Sequence, residues 1–265
     1  MNTNVINILF IGDIIGKPGL DLTENLLKSY FHKYEIDFCV ANGENLVDGK
    51  GIDEPTAAKV FGLGVHVMTG GNHLWDNWNT RKLLGHSKNI LRPLNYPSEN
   101  PGNGFVVYEL GEKGKIGVLS LQGRVYMQPI DCPFKKADWA VEKMREQTNV
   151  IFVDMHAEAT AEKMALGWYL DGRVSALVGT HTHVQTADAR ILPKGTAFIT
   201  DVGMTGPYDS VIGLKKETAL RRFLTQTPHK YEMASHDVRM CGVYVQVEKE
   251  TGKALKIESF TFPAF

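Results

Sequence analysis

Ala176-Leu-Val-Gly-Thr-His181-Thr182-His183 is a short apolar run that ends in two histidines, and four other runs in the chain end in a similar way. Asn7-Ile-Leu-Phe-Ile-Gly stops at Asp13, and Asp37-Phe-Cys-Val-Ala-Asn-Gly stops at Glu44-Asn45. His66-Val-Met-Thr-Gly-Gly stops at Asn72-His73, and Val150-Ile-Phe-Val-Asp-Met stops at His156. Short runs rich in Val, Ile and Phe read as strands buried on both faces. In sheets flanked by helices, ligands collect at the carboxyl ends of the strands. Strands read this way deliver carboxylates, amides and imidazoles to one sheet edge. That is the donor set of a metal site.

Working outward, the first half alternates strand and helix. A strand over 5–11 precedes Asp21–Phe31, where Leu22, Leu26, Leu27, Tyr30 and Phe31 make one helical apolar face. The strand at 37–41 leads to a helix over 54–62 with Pro55 in its first turn, and the strand at 65–69 leads to a helix over 76–85. Gly104–Leu110 and Ile116–Leu121 flank a Gly-Glu-Lys-Gly-Lys link and read as a hairpin. A helix over 136–147, a strand at 150–155, a helix over 159–170 and a strand at 174–179 resume the alternation. The tail is β again, with Thr196–Thr200, Cys241–Val247 and Leu255–Phe260. Alternation with hairpins predicts an α/β fold of two mixed sheets packed together, with helices outside. There is no repeat, low-complexity tract or long linker, so residues 1–265 are expected to form a single domain.

Composition narrows the function classes. The net charge is −1 and no basic run exceeds two residues, which gives no nucleic-acid signature. Cys39, Cys132 and Cys241 make no paired spacing, so neither a disulfide framework nor a zinc knuckle is expected. The start Met1-Asn2-Thr3-Asn4 has no secretory pattern, and the apolar stretches fall short of the roughly 20 residues needed to span a bilayer. A cytoplasmic protein without membrane contact is the expectation. Homo-oligomerisation is left open.

The donor types set the chemistry. Asp13 lies between Gly12 and Gly16, which allow a sharp turn off the strand; the glycines at 12, 16 and 19 fit neither of the common nucleotide-loop patterns. Gly43-Glu44-Asn45 and Gly71-Asn72-His73 share a format and a place after a buried strand. Oxygen donors mixed with imidazole, without thiolate, point to Mn, Fe or Zn. In extended backbone His181 and His183 would face the same way, about 6.5 Å apart along the strand, so each would reach one of two metals. Two carboxylates against two metal ions leave the site cationic, which fits an anionic phosphate ester. A hydroxide between the metals is a nucleophile at neutral pH. If Asn72 holds metal, His73 faces the substrate and can give a proton to the leaving oxygen. Asp201 reads as a partner for a metal-bound histidine, and Gly203–Tyr208 as part of the pocket lining. His32, His66, His86, His229 and His236 read as structural or solvated.

The order Gly-Asp, Gly-Glu-Asn, Gly-Gly-Asn-His, Asp-Met-His, Gly-Thr-His-Thr-His, from residue 12 to 183, resembles the calcineurin-like metallophosphoesterases, and most closely their YmdB-type branch. That superfamily's usual blocks are GD-x-HG, GD-x-x-[DE], GNH[DE], a lone His and GH-x-H. Two positions depart from the pattern. Ile15 stands where the first block has a histidine, and Glu44 stands where the bridging aspartate falls, with Asn45 as the natural replacement donor. The resemblance implies a four-layer αββα sandwich. It implies that Asp13, Asn45 and His183 hold one metal, that Asn72, His156 and His181 hold the other, that Glu44 bridges, and that His73 donates the proton. It also implies iron or manganese in the site, zinc being the third candidate, and hydrolysis of small cyclic nucleotides, 2′,3′-cyclic mononucleotides in particular. Leu74 occupies the position of the acidic residue that follows the histidine in the general pattern, which leaves His73 without an assigned orienting partner. No residue announces which base is read. The alternatives are a metal-dependent nucleotide-binding regulator with little turnover and an amidohydrolase; the latter is disfavoured because its H-x-H comes at the first strand.

Overall fold

In the computed structural model, which describes residues 4–265, the apolar runs become the central strands of two sheets. Met1–Thr3, on which part of the reading of the polar start falls, lie outside the described residues. The first sheet takes β1 (Val5–Ile11), β2 (Phe38–Asn42), β3 (Val67–Thr69) and the short β4 (Ile90–Leu91), all parallel. The second takes the hairpin β5 (Phe105–Glu109) and β6 (Lys115–Gln122), then β7 (Ile151–His156) and β8 (Ala176–Thr180), the last two parallel to β6. It closes with β9 (Arg190–Ile191) and β10 (Ala197–Ile199). Of the last strands, β11 (Gly206–Pro207) and β13 (Ala254–Phe262) pair with β12 (Val238–Glu248), which lies antiparallel beside β1 and so returns the chain's tail to the first sheet.

Three apolar layers hold this together, as four layers of structure require. Ile8, Phe10 and Val40 of the first sheet pack against Val118, Phe152 and Val178 of the second, with Phe10 and Phe152 stacked at 5.4 Å. The outer face of the first sheet, through Leu9, Cys39 and Met68, is covered by helices α1 (Gly16–Lys33), α2 (Glu54–Gly62) and α3 (Trp78–His86). The outer face of the second, through Leu119, Val153 and Leu177, is covered by α4 (Pro133–Arg145) and α5 (Thr160–Leu170). The predicted αββα sandwich is therefore observed. Its central strands are largely apolar because each is covered on both faces, and polar residues such as Asn42, Asp154 and Thr180 fall toward their carboxyl ends.

Helix boundaries move more than strand boundaries. The first helix starts at Gly16, not Asp21: no side chain caps its start, and its first turn is buried through Gly16 against Met233 and Gly19 against the Thr205 backbone. The second begins where expected, fixed by Asp53 and Thr56, which each accept from the other's backbone N–H. A sixth helix, α6 (Lys216–Thr225), has no counterpart among the elements expected from the sequence; only Ala219 is buried on it, so its apolar residues report no core face. Among the described residues, no helix is long and apolar enough to cross a membrane.

Candidate metal and phosphoester site

Parallel strands in both sheets end at one place, and the side chains that follow them converge there. Glu44 Oε1, Asn72 Oδ1 and His181 Nδ1 lie 3.1, 3.1 and 3.0 Å from His156 Nε2. Glu44, His156 and His181 thus place one ligand atom each within 4.8 Å of the others. Beside them His183 Nε2 lies 4.0 Å from Asp13 Oδ1 and 3.5 Å from the Asn45 amide nitrogen, which is 3.3 Å from Glu44 Oε1. The residues singled out in the sequence therefore meet at one site, His73 included, whose backbone N–H donates to Glu44 Oε2 at 3.1 Å. Glu44 sits between the two groups.

The two histidines reach the site by another route than the one expected. β8 stops at Thr180, and His181 and His183 both have left-handed backbone, with φ of 96° and 66°. The extended-strand argument for their common direction fails. A tight loop turns both rings inward, and Asp201 holds that loop by accepting from the Thr182 N–H and hydroxyl and from buried Lys163 at 2.6 Å. Asp201 therefore positions the residue between the histidines and touches neither ring. The segment Gly203–Tyr208 does not line the pocket either. Residues 202–207 are buried, and Tyr208 bonds to Met204 and Cys241; Ile212, Leu214, Arg222 and Tyr231 form the wall instead. Of the histidines set aside, His66 is structural: it accepts from the Cys39 N–H at 3.0 Å and stacks on Phe38.

Buried groups behind the site fix the imidazoles. The Thr180 hydroxyl donates to Asp154 at 2.7 Å, so it must accept from His156 Nδ1 at 2.9 Å. That leaves Nε2 facing Glu44, with a free lone pair in the neutral ring and an N–H in the protonated one. Asp154 also accepts from Thr69 and from Asn42, and burial pushes its carboxyl up to about 6. Asn42 in turn accepts from the Glu44 N–H at 3.1 Å. Sequence reasoning places Asp154 near a strand end but gives it no role, and it missed the chain because Asn42 and Thr180 close strands that read as apolar. A polar residue within a run buried on both faces is the signal that could have found it. Gly71 is needed for a separate reason: a Cβ there would lie 2.0 Å from the His156 ring.

His73 has an orienting partner after all. Its Nδ1 lies 2.9 Å from Asp76 Oδ2, three residues on in the turn Asn72–Asp76, and Lys50 reaches the same oxygen at 3.1 Å. Burial works against the Asp76 charge, but the bonds from His73 and Lys50 hold its carboxyl below the ordinary value. With Nδ1 engaged, Nε2 is left for the groove shared with Asn45, Lys50, His181 and His183. Replacing Asp76 by Asn should lower kcat at least about tenfold, since general acid catalysis depends on a fixed, correctly protonated ring. Unchanged turnover by the variant would remove Asp76 from this role.

The electrostatics ask for positive charge. Asp13 is fully buried, its Oδ1 has no hydrogen-bond partner, and burial raises its carboxyl despite the neighbouring histidines. Burial opposes ionisation of both Glu44 and His156, yet their mutual attraction wins, holding Glu44 at about 2 and His156 at about 9. Burial and the His156 charge together lower His181 to about 3. Lone pairs from carboxylate, amide and imidazole meeting in a dry site repel one another unless a cation or a proton stands among them. The donor set fits a cation.

Two sheets with oxygen and imidazole donors gathered at the carboxyl ends of their parallel strands define the metallophosphoesterase class. The family model described as YmdB-like protein matches residues 9–260, and the chain belongs to that family. It is 46% identical over 253 residues to a protein of Bacillus subtilis (strain 168) named 2′,3′-cyclic-nucleotide 2′-phosphodiesterase, covering 96% of each chain. Among solved structures, one described as a hypothetical protein from Thermus thermophilus superposes with a TM-score of 0.90 at 42% identity, covering 97% of this chain and 99% of that one. One described as a novel phosphatase from Mycoplasma pneumoniae superposes with a TM-score of 0.92 at 36% identity, covering 98% and 94%.

Proposed function

We propose that the protein is a dinuclear-metal phosphodiesterase that hydrolyses small cyclic nucleotides, with 2′,3′-cyclic mononucleotides as the first choice, acting in the cytoplasm as one domain over residues 1–265. The observation that carries this reading is the convergence of Glu44, Asn72, His156 and His181 on one side and Asp13, Asn45 and His183 on the other, with the unpartnered Asp13 Oδ1 among them. The name of the Bacillus subtilis relative supports the substrate.

Asn72, His156 and His181 would hold one ion, Asp13, Asn45 and His183 the other, with Glu44 shared; a half-turn of the Asn45 amide presents its oxygen. Iron or manganese is the first choice and zinc the next, on the mixed oxygen and nitrogen donors. When bound, such a pair supplies an activated water and a clamp for the phosphoryl oxygens. The chain supplies the rest. Asp154 and Thr180 hold the His156 tautomer, Asp201 holds the loop of His181 and His183, and His73, set by Asp76, gives its proton to the oxygen that leaves phosphorus.

The assay is direct: metal-loaded protein should convert 2′,3′-cyclic AMP to a single phosphomonoester. Hydrolysis of other phosphodiesters or monoesters with no turnover of that substrate would refute the substrate assignment. Cation uptake should also release protons. With His156 held near pH 9 in the metal-free protein, an arriving ion must displace its proton, so affinity should rise with pH up to about 9. Titration in weakly buffered solution reads the protons directly, and uptake without proton release would contradict the assignment of His156.

A further inference from the structure

A second groove adjoins the one that holds the chemistry. The groove containing Asn45, His73, His181 and His183 has a volume of about 390 Å³, and its outer wall is Ile212, Leu214 and Arg222. Those three residues also line a neighbouring groove of about 540 Å³, completed by Val211, Ala219 and Phe223 and, past the end of α6, by Gln226, Thr227 and Pro228. Both grooves have largely apolar walls; the one at the histidines also carries Lys50 and Glu158 on its rim, and Arg222 stands between the two. At the junction, the Arg222 guanidinium has no hydrogen bond or ion pair among the described residues, and Phe223 is 72% exposed without a ring partner.

Cyclic-phosphate chemistry decides which way a nucleotide lies here. Whichever ring P–O bond breaks, the leaving oxygen stays on the ribose, so the sugar must rest against the proton donor. His73 belongs to the groove walled by Arg222. A different recess, lined by Tyr126, Met127, Gln128, Asn72 and His181, does not include His73. Among the described residues, the groove that shares Ile212, Leu214 and Arg222 with the His73 groove is the apolar neighbour within reach of a base carried by a ribose at His73. We infer that this groove, formed by the turn at 211–214 and α6, is the base-binding subsite. There the base packs on Phe223 and Leu214, and Arg222 contacts the ribose-phosphate at the junction.

Stacking on an aromatic ring and apolar walls tolerates every base. Broad acceptance of purines and pyrimidines follows, in line with the absence of a base-reading signature in the sequence. This inference rests on the proposed cyclic-nucleotide activity, and the experiment separates the two.

The test compares 2′,3′-cyclic AMP with methyl ribofuranoside 2′,3′-cyclic phosphate, which keeps the sugar and phosphate but has no base. Because Phe223 is exposed on its helix, Phe223→Ala should fold and bind metal normally. It should raise KM for cyclic AMP about tenfold, the scale of a lost base-stacking contact, with kcat retained and with kcat/KM for the base-free probe unchanged. Val211→Ser, which lies on the second groove only and whose thermal unfolding is checked against the wild type, should give the same base-dependent loss. Equal losses on both probes, or none on cyclic AMP, would overturn the subsite. A base-dependent loss in Tyr126→Ala with Phe223→Ala silent would place the base in the other recess and equally overturn it. Wild-type protein that turns over neither probe removes the proposed function, and the subsite with it.

Discussion

Replacing His156 by Ala should leave the protein short of metal and lower turnover by on the order of a thousandfold, the scale of a lost metal contribution to phosphoryl transfer. Three other donors lie about 3 Å from its Nε2. No neighbouring ring can take its place: His181 is already one of the three, and His183 faces Asp13. The variant should also be less stable when metal-free. Glu44 and His156 are both fully buried, and removing one partner of such a pair costs about 3–5 kcal/mol. Elemental analysis, steady-state kinetics and denaturant unfolding read these effects in turn. A His156→Ala protein with full metal content and near-normal turnover would show that the cluster is structural.

His73→Ala should give the opposite split. The imidazole is bonded to Asp76 and touches Glu44 only through its backbone N–H, which alanine keeps. Metal content should stay at the wild-type level while kcat falls by about 10²–10⁴, the range for loss of a general acid. The fall should shrink for substrates whose leaving group needs no proton, such as a nitrophenyl ester, because a stable phenolate leaves unaided. If His73→Ala instead lost metal, His73 would belong with the ligands; if it kept full activity on cyclic nucleotides, another group would have to supply the proton.

Much of this site is legible in the order of residues along the chain. Asp13, Glu44, Asn72 and His156 follow runs such as Ile8–Ile11 and Ile151–Val153, which are apolar because sheet and helices cover both faces. Position after such a strand is a local property, visible in one dimension. The route taken by His181 and His183 is not, since spacing of two implies a common face only in extended backbone and both residues have positive φ. The partner of His73 is hidden for a different reason. The general pattern puts an acid at the adjacent position, Leu74, whereas a helical turn brings the third residue on, Asp76, back to the ring. The supporting roles of Thr180, Asp154 and Asn42 depend on hydrogen bonds across β2, β3, β7 and β8, which no spacing reports. The wall at 211–231 gives no signal either. Helix α6 buries only Ala219, so its pattern does not announce a packed face.

The most direct test is diffraction from metal-loaded crystals with data collected at the iron, manganese and zinc absorption edges. Two anomalous peaks should appear on either side of the Glu44 carboxylate, one among Asn72, His156 and His181 and the other among Asp13, Asn45 and His183. Crystals of fully metal-loaded protein with no peak there, or with ions bound elsewhere and these side chains bonded only to each other, would contradict the account.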